Sequence, residues 1–310
     1  MLWIVVVVII ILVGALVYSA TRSTSSAPTP TSSASGSKVL QVVAAENFWG
    51  SIVSQIGGTH VQVLSIVSDP NADPHEYESN ASDARAVASA DYVIENGVGY
   101  DSWMDKLLSA GGNNPDRKVL NIGDLVGVQD GGNPHLWYNP AYVNQTTAQI
   151  EQDLISLDPD DKADYEQNYA TLQSNLAEYQ GRIVAIKQQY GGTEVASTES
   201  IFVYLANAAG LDLVSPPAFI DAVAEGNDPP ASSIVQFESQ LKSGKIKLLV
   251  YNEQTVTPLT QNMKALAAQE QIPVIGVTET IQPPNATFQE WMNAQLIDLQ
   301  NALNANQLGQ

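Results

Sequence analysis

In DYEQNYATLQSNLAEYQGRIVAIKQQYGG, residues 164–192, the residues Tyr165, Tyr169, Leu172, Leu176, Tyr179, Ile183 and Ile186 recur at three- and four-residue spacing. That is the apolar stripe of one long amphipathic helix. Tyr190-Gly191-Gly192 closes it, since glycine readily takes the backbone conformation that ends a helix. Asp158-Pro159-Asp160-Asp161 opens it, because Asp and Pro stop the helical pattern running from Pro140 and start a new one. Residues 158–190 are thus expected to form a connecting helix.

The sequences on its two sides read alike. Before it, strand-like runs at 39–45, 61–67, 92–94 and 118–121 alternate with helices starting near Phe48, Asn80 and Asp101. After it, runs at 194–197, 211–214, 247–251 and 273–277 alternate with helices starting near Ile201, Ser232, Pro258 and Phe288. Strands separated by helices imply a parallel sheet covered on both faces. The expected fold is α/β, with two lobes at 39–157 and 191–310, each a parallel sheet flanked by helices, joined by one long rigid helix. No sequence repeat between the lobes is strong enough to mark a duplication.

The N-terminus bears on location. Residues 2–18, LWIVVVVIIILVGALVY, carry no charge. At about 1.5 Å per residue they are just long enough to cross a hydrocarbon core of roughly 30 Å. No Lys or Arg precedes the run, as a cleaved signal would usually require, so 1–20 reads as a transmembrane anchor ahead of a signal peptide. Residues 21–38, TRSTSSAPTPTSSASGSK, lack the apolar residues needed to fold and read as a disordered tether. The globular part is then expected at the cell membrane, extracytoplasmic and monomeric, or secreted if the apolar segment is removed. With 33 acidic against 13 basic side chains and a net charge of -20, nucleic acid is excluded as a partner and cations are favoured.

The chain has three histidines and no cysteine, so a transition-metal site must be built from imidazole and carboxylate. Two histidines lie in ordered patterns, Asp73-Pro74-His75-Glu76-Tyr77 and Asn133-Pro134-His135-Leu136-Trp137. His75 follows the second strand and His135 the fourth, where ligands of open parallel sheets gather. The equivalent loops of the second lobe hold Thr198-Glu199 and Thr278-Glu279. His75, His135, Glu199 and Glu279 therefore converge on one inter-lobe cleft, and two neutral imidazoles with two carboxylates balance a divalent cation. Plainer roles compete: Glu199 suits a helix N-terminus, and Glu279 suits an ordinary turn. Glu253, in Tyr251-Asn252-Glu253-Gln254, also follows a strand and rivals Glu279 for the fourth position. His60 opens a strand and is expected on the surface, and Trp103 and Trp137 are expected in lobe packing.

At these residues the chain resembles the metal-binding solute-binding proteins of ABC transporters, the zinc and manganese receptors of the zinc-uptake and streptococcal-adhesin type. The resemblance runs over Ala72-Asp73-Pro74-His75-Glu76-Tyr77, Ala90-Asp91-Tyr92-Val93-Ile94-Glu95-Asn96-Gly97 with Trp103 beyond, Pro134-His135-Leu136-Trp137 with Pro140, and Thr198-Glu199-Ser200-Ile201-Phe202-Val203-Tyr204. It implies that His75 and His135 are metal ligands. It also implies a receptor that captures Mn2+, Zn2+ or Fe2+ between the lobes and delivers it to the membrane subunits of an ABC permease. Two departures matter. Glu199 stands where zinc-type receptors usually place a third histidine, and Glu279 where the family usually has Asp. The histidine-rich loop and the lipid-carrying cysteine are missing as well. The oxygen-richer set leans toward manganese or iron, although affinity order alone favours zinc. Imidazole ligation predicts weaker binding as pH falls through roughly 6.5.

Other classes fit less well. Two histidines and a carboxylate also describe hydrolytic zinc enzymes, but the chain has no HExxH helix, nucleophile elbow or phosphate-binding glycine loop. A non-enzymatic binding protein is the expectation, with a metal-dependent hydrolase or a surface adhesin of the same fold as alternatives.

Overall fold

The run of β-branched residues at Val61–Val67 pairs in parallel with Leu40–Glu46, and these two strands, β2 and β1, set the frame of the first lobe. The computed structural model describes residues 38–308 apart from 71–73 and 113. The membrane-segment and tether readings for 1–20 and 21–38 lie outside the described residues. Among those described, no helix is long and apolar enough to cross a membrane.

With β3 (Tyr92–Glu95) and β4 (Lys118–Asn121), the first sheet has the order β2-β1-β3-β4, all parallel. The second contains β5 (Glu194–Ser197), β6 (Asp212–Leu213), β7 (Leu249–Asn252) and β8 (Val274–Val277), in the order β6-β5-β7-β8 and again all parallel. The two lobes thus share one topology that no sequence repeat disclosed.

Helices α1 (Asn47–Gly57), α2 (Ala81–Ser89), α3 (Ser102–Ala110) and α4 (Ile122–Val126) belong to the first lobe. Helices α5 (Pro140–Leu157) and α6 (Lys162–Tyr190) follow, separated by a short 3-10 turn at Pro159–Asp161. The second lobe carries α7 (Val203–Ala208), α8 (Pro217–Ala224), α9 (Ala231–Leu241), α10 (Pro258–Gln269) and α11 (Phe288–Leu308). Two of these were not expected from sequence. Helix α4 is only five residues long, too short for a 3.6-residue period to show. Helix α8 begins at Pro216-Pro217, which reads as a break, yet Pro217 sits in the first turn, where a missing N–H costs nothing. Strand β6 keeps just two of the four expected residues, at the sheet edge.

The stripe on α6 is the spine of the molecule. Tyr165, Leu172, Leu176, Tyr179, Ile183, Ile186 and Tyr190 are buried there, and Tyr169 is half-buried. They join one apolar core that takes Trp49 and Trp137 from the first lobe and Phe202, Trp291 and Leu296 from the second. Each sheet is covered on its other face by a separate cluster. Val43, Val93, Trp103 and Met104 form one; Phe219, Phe237, Leu249 and Met263 form the other. A core shared between lobes ties them together, because opening them widely would expose that apolar surface to water.

Candidate metal centre

The turn Asn133-Pro134-His135 precedes a 3-10 turn at Leu136–Tyr138 and the proline-led start of α5. This delivers His135 fully buried into the space between the lobes. Asn133 controls its chemistry. The Asn133 Nδ2 donates to the Ser200 carbonyl at 2.8 Å, which turns Oδ1 toward His135. There it accepts the backbone N–H of His135 at 3.0 Å and the ring Nδ1–H at 2.8 Å. Since Asn133 Oδ1 can only accept, Nδ1 carries the proton and Nε2 is left with a lone pair. Nε2 is buried without a hydrogen-bond partner among the described residues. Burial also lowers the His135 pKa to about 3 against the pull of Glu279, so the ring is neutral at any physiological pH.

His75 sits in a 3-10 turn at Pro74–Glu76. The turn is held by Tyr77, whose hydroxyl donates to Asp83 at 2.7 Å and whose ring lies 5.0 Å from Trp103. Asp83 in turn closes a capping box with Asn80 at the start of α2. The His75 ring meets Tyr100 edge-on at 4.8 Å, and its side chain keeps 21% of its surface exposed. It faces a cavity of about 690 Å3 between the lobes, lined also by Tyr100, Trp103, Lys106, Asn133 and Glu225. That cavity is the route by which solvent reaches the site.

The second lobe supplies the acids. Glu199 follows β5 and Glu279 follows β8, both fully buried. Gln254 Oε1 accepts the backbone N–H groups of Glu279 at 2.6 Å and Thr280 at 2.9 Å, fixing the turn that aims Glu279. His75 Nε2 lies 3.2 Å from Glu279 Oε2, and His135 Nε2 lies 3.4 Å from Glu199 Oε1 and 3.9 Å from Glu279 Oε2. The donor atoms of His75, His135 and Glu279 all fall within 4.8 Å of one another, and Glu199 joins this set through His135. The Tyr100 hydroxyl donates to Glu279 Oε2 at 2.7 Å, bonding the lobes across the site.

Two carboxylates this close in a dry place cannot both ionise easily. Burial and then the Glu279 charge push Glu199 up to about 8. Burial alone would raise Glu279 too, but His75, His135 and the Tyr100 hydroxyl outweigh it and hold Glu279 below the usual carboxylate range. The result is one anionic and one protonated acid facing two imidazoles. A divalent cation would replace that proton and be met by nitrogen and oxygen lone pairs together.

The remaining candidates lie elsewhere. Glu253 is exposed, its side chain lying across Gly276 on β8, and does not enter the site. His60, expected on the surface, is instead largely covered. Its ring nitrogens lie 2.8 Å from Asp161 and 2.9 Å from Asp164, because the turn after α1 packs on the start of α6. Trp137 is buried against Phe48 and lies edge-on to His135 at 5.3 Å, so it packs the lobe and also walls the site. Sequence reading passed over Asn133, Tyr100, Asn252 and Gln254. Asn133 could have been found, since an amide two residues before a histidine can reach its ring; the others act across 24 residues or more.

A two-lobed α/β fold with imidazoles on one wall of the cleft and carboxylates on the other defines the class of cleft-binding receptors. Residues 42–302 match the family Zinc-uptake complex component A periplasmic, ZnuA, and the chain belongs to it. It is 26% identical over 263 residues to the manganese ABC transporter substrate-binding lipoprotein PsaA of Streptococcus pneumoniae, covering 79% of this chain and 81% of that protein. Over 184 residues it is 27% identical to the manganese-binding lipoprotein MntA of Halalkalibacterium halodurans, covering 56% of this chain and 59% of that protein. The fold is shared with the SBP FpvC from Pseudomonas aeruginosa in complex with Mn2+, at a TM-score of 0.71 and 21% identity, covering 86% of this chain and 99% of that one.

Proposed function

We propose that this protein is the substrate-binding component of a metal ABC transporter, taking one divalent ion between its lobes and passing it to the permease's membrane subunits. His75, His135, Glu199 and Glu279 are the ligands in this reading, and Mn2+, Zn2+ and Fe2+ are the candidate ions. The observation that carries it is His135. A buried neutral imidazole whose lone pair is aimed by Asn133 at two acids is an unfavourable arrangement unless a proton or a cation sits between them, and a divalent cation can take the place of the proton that Glu199 holds. The relatives' names, all of binding proteins, support a receptor over a hydrolase.

Residues 39–157 and 191–310 act as the two lobes in this proposal, and the connecting helix 158–190 limits their motion to a small rocking that parts imidazoles from carboxylates. The matched relatives are lipoproteins, whereas this chain has no cysteine to carry a lipid. Residues 2–18 take over the anchoring, with 21–38 as the tether to an extracytoplasmic, monomeric receptor. Calorimetry of the metal-stripped protein tests the core of this reading: one ion per chain is expected, and His75→Ala or His135→Ala should each abolish tight binding. Unchanged affinity in both variants would defeat it.

A further inference from the structure

Of the four ligand residues only His75 lines the cavity between the lobes; His135, Glu199 and Glu279 lie fully buried behind it. Tyr100 fills the step between cavity and site. Its ring centre lies 4.8 Å from that of His75, 6.1 Å from His135 and 5.2 Å from Trp137, and the residue, 6% exposed, lines the cavity itself. Its hydroxyl donates across the cleft to Glu279 Oε2 at 2.7 Å. The backbone that carries this ring has little freedom. Gly97, Val98 and Gly99 run at φ of 73°, 58° and 78°. For a β-branched residue such as Val98 that is strained, and such strain persists only where the surroundings over-determine it. Here Asp101 accepts the backbone N–H groups of Asn96 at 2.6 Å and Gly97 at 2.8 Å. The Val98 side chain fills the space over Gly123, where an added Cβ would come within 2.7 Å of it. With the backbone fixed, the phenol side chain is the part that can swing.

We infer that Tyr100 is the gate of the site, its ring closing the path from the cavity and its bond to Glu279 bolting the ring shut. This rests on the receptor reading above and deepens it. A carboxylate oxygen has two lone pairs, so Glu279 Oε2 accepts the phenol and faces an ion at once. The bond therefore stands in the filled and the empty receptor alike, and an ion travelling in either direction must break it. Hydrogen bonds to an ionised acceptor are among the stronger ones, and in a dry cleft water does not replace the lost partner until the ring has moved. Tyr100 on this argument sets how fast the ion passes rather than which ion is held.

The test is kinetic, with zinc as the probe. Stopped-flow uptake of zinc by the metal-stripped protein, and release of zinc to excess chelator, are compared in the wild-type protein and in Tyr100→Phe, which keeps the ring and removes the hydroxyl. Both rates should rise, by about tenfold. Unchanged rates in a folded variant would overturn the inference. Faster release without faster uptake would overturn it too, since Tyr100 would then only steady Glu279. A second measurement needs no variant: in the zinc-loaded wild-type protein, the Tyr100 hydroxyl proton, followed through the isotope shift of its ring carbon, should exchange with water at least as fast as zinc leaves. Zinc leaving faster than that proton exchanges would overturn the gate. Failure of the wild-type protein to take up zinc at all would instead overturn the receptor reading, and this inference with it.

Discussion

The two lobes share a strand order, and in both the point where the sheet divides holds buried acids, yet these acids are handled differently. In the first lobe Glu46 ends β1, Glu95 ends β3, and Asp101 lies beside them at the start of α3. Asp101 accepts the backbone N–H groups of Asn96 and Gly97 at 2.6 and 2.8 Å and hydrogen-bonds Glu46. Burial, with mutual repulsion, pushes Glu95 up to about 7 and Glu46 well above its ordinary range, and burial raises Asp101 to about 6 despite its backbone bonds. This cluster answers its own repulsion by holding protons. In the second lobe an amide, Asn252, separates the acids, and imidazoles from the opposite lobe face them. Buried carboxylates alone do not make a cation site; lone pairs from a second wall, fixed in tautomer, turn them into one.

The sharpest way to break this contrast is to exchange the fates of the two acid groups by mutation. His135→Ala should weaken metal binding by more than ~100-fold, beyond the range typical of outer-shell partners, while Glu46→Gln should leave affinity and stoichiometry unchanged. Equal losses in calorimetry would mean the contrast is false. Asn133→Ala tests the tautomer separately: with Nδ1 no longer held as the donor, affinity should fall by ~10–100-fold while the fold is retained.

Most of the fold was legible because it is written in local periodicity. The α6 stripe, the parallel strand runs and the Asp-Pro break before α6 each act within a few residues. Helix α8 was hidden because Pro216-Pro217 serves as a start and reads as a stop. That the strand-end positions of His75, His135, Glu199 and Glu279 face one cleft was legible from topology and from the family resemblance. The choice of Glu279 over Glu253 was not. It depends on which face of β7 and β8 each side chain leaves by, and on Gln254 catching the turn after β8. Likewise nothing near His135 in sequence shows that burial would hold it neutral far below pH 6.5.

That last difference alters the expected pH behaviour. Protonation of His135 cannot weaken binding near pH 6.5, since its pKa lies at about 3. The proton a metal must displace is on Glu199, so affinity should rise as pH increases toward about 8. Uptake at pH 7, measured by calorimetry in buffers of different ionisation heat, should release a proton from Glu199. No proton release would place Glu199 outside the site.

A further effect concerns the metal-free fold. Glu46, Glu95 and Glu199 keep protons when folded that the unfolded chain gives up above about pH 4.5. The folded state then binds more protons than the unfolded one, so stability falls as pH rises from 6.5 to 8. His135, whose pKa is depressed, works in the opposite direction but only below about 6.5. Denaturant unfolding should show a loss on the order of 4 kcal/mol across this window. Saturating metal should remove the Glu199 share and leave that of Glu46 and Glu95, which separates the two regions within one titration.

Diffraction from metal-loaded crystals, with anomalous scattering recorded on both sides of the ion's absorption edge, locates the cation directly. One peak is expected, within bonding reach of His75 Nε2, His135 Nε2, Glu199 and Glu279. A peak instead among Glu46, Glu95 and Asp101, or beside His60 and Asp164, would contradict the assignment of the cleft.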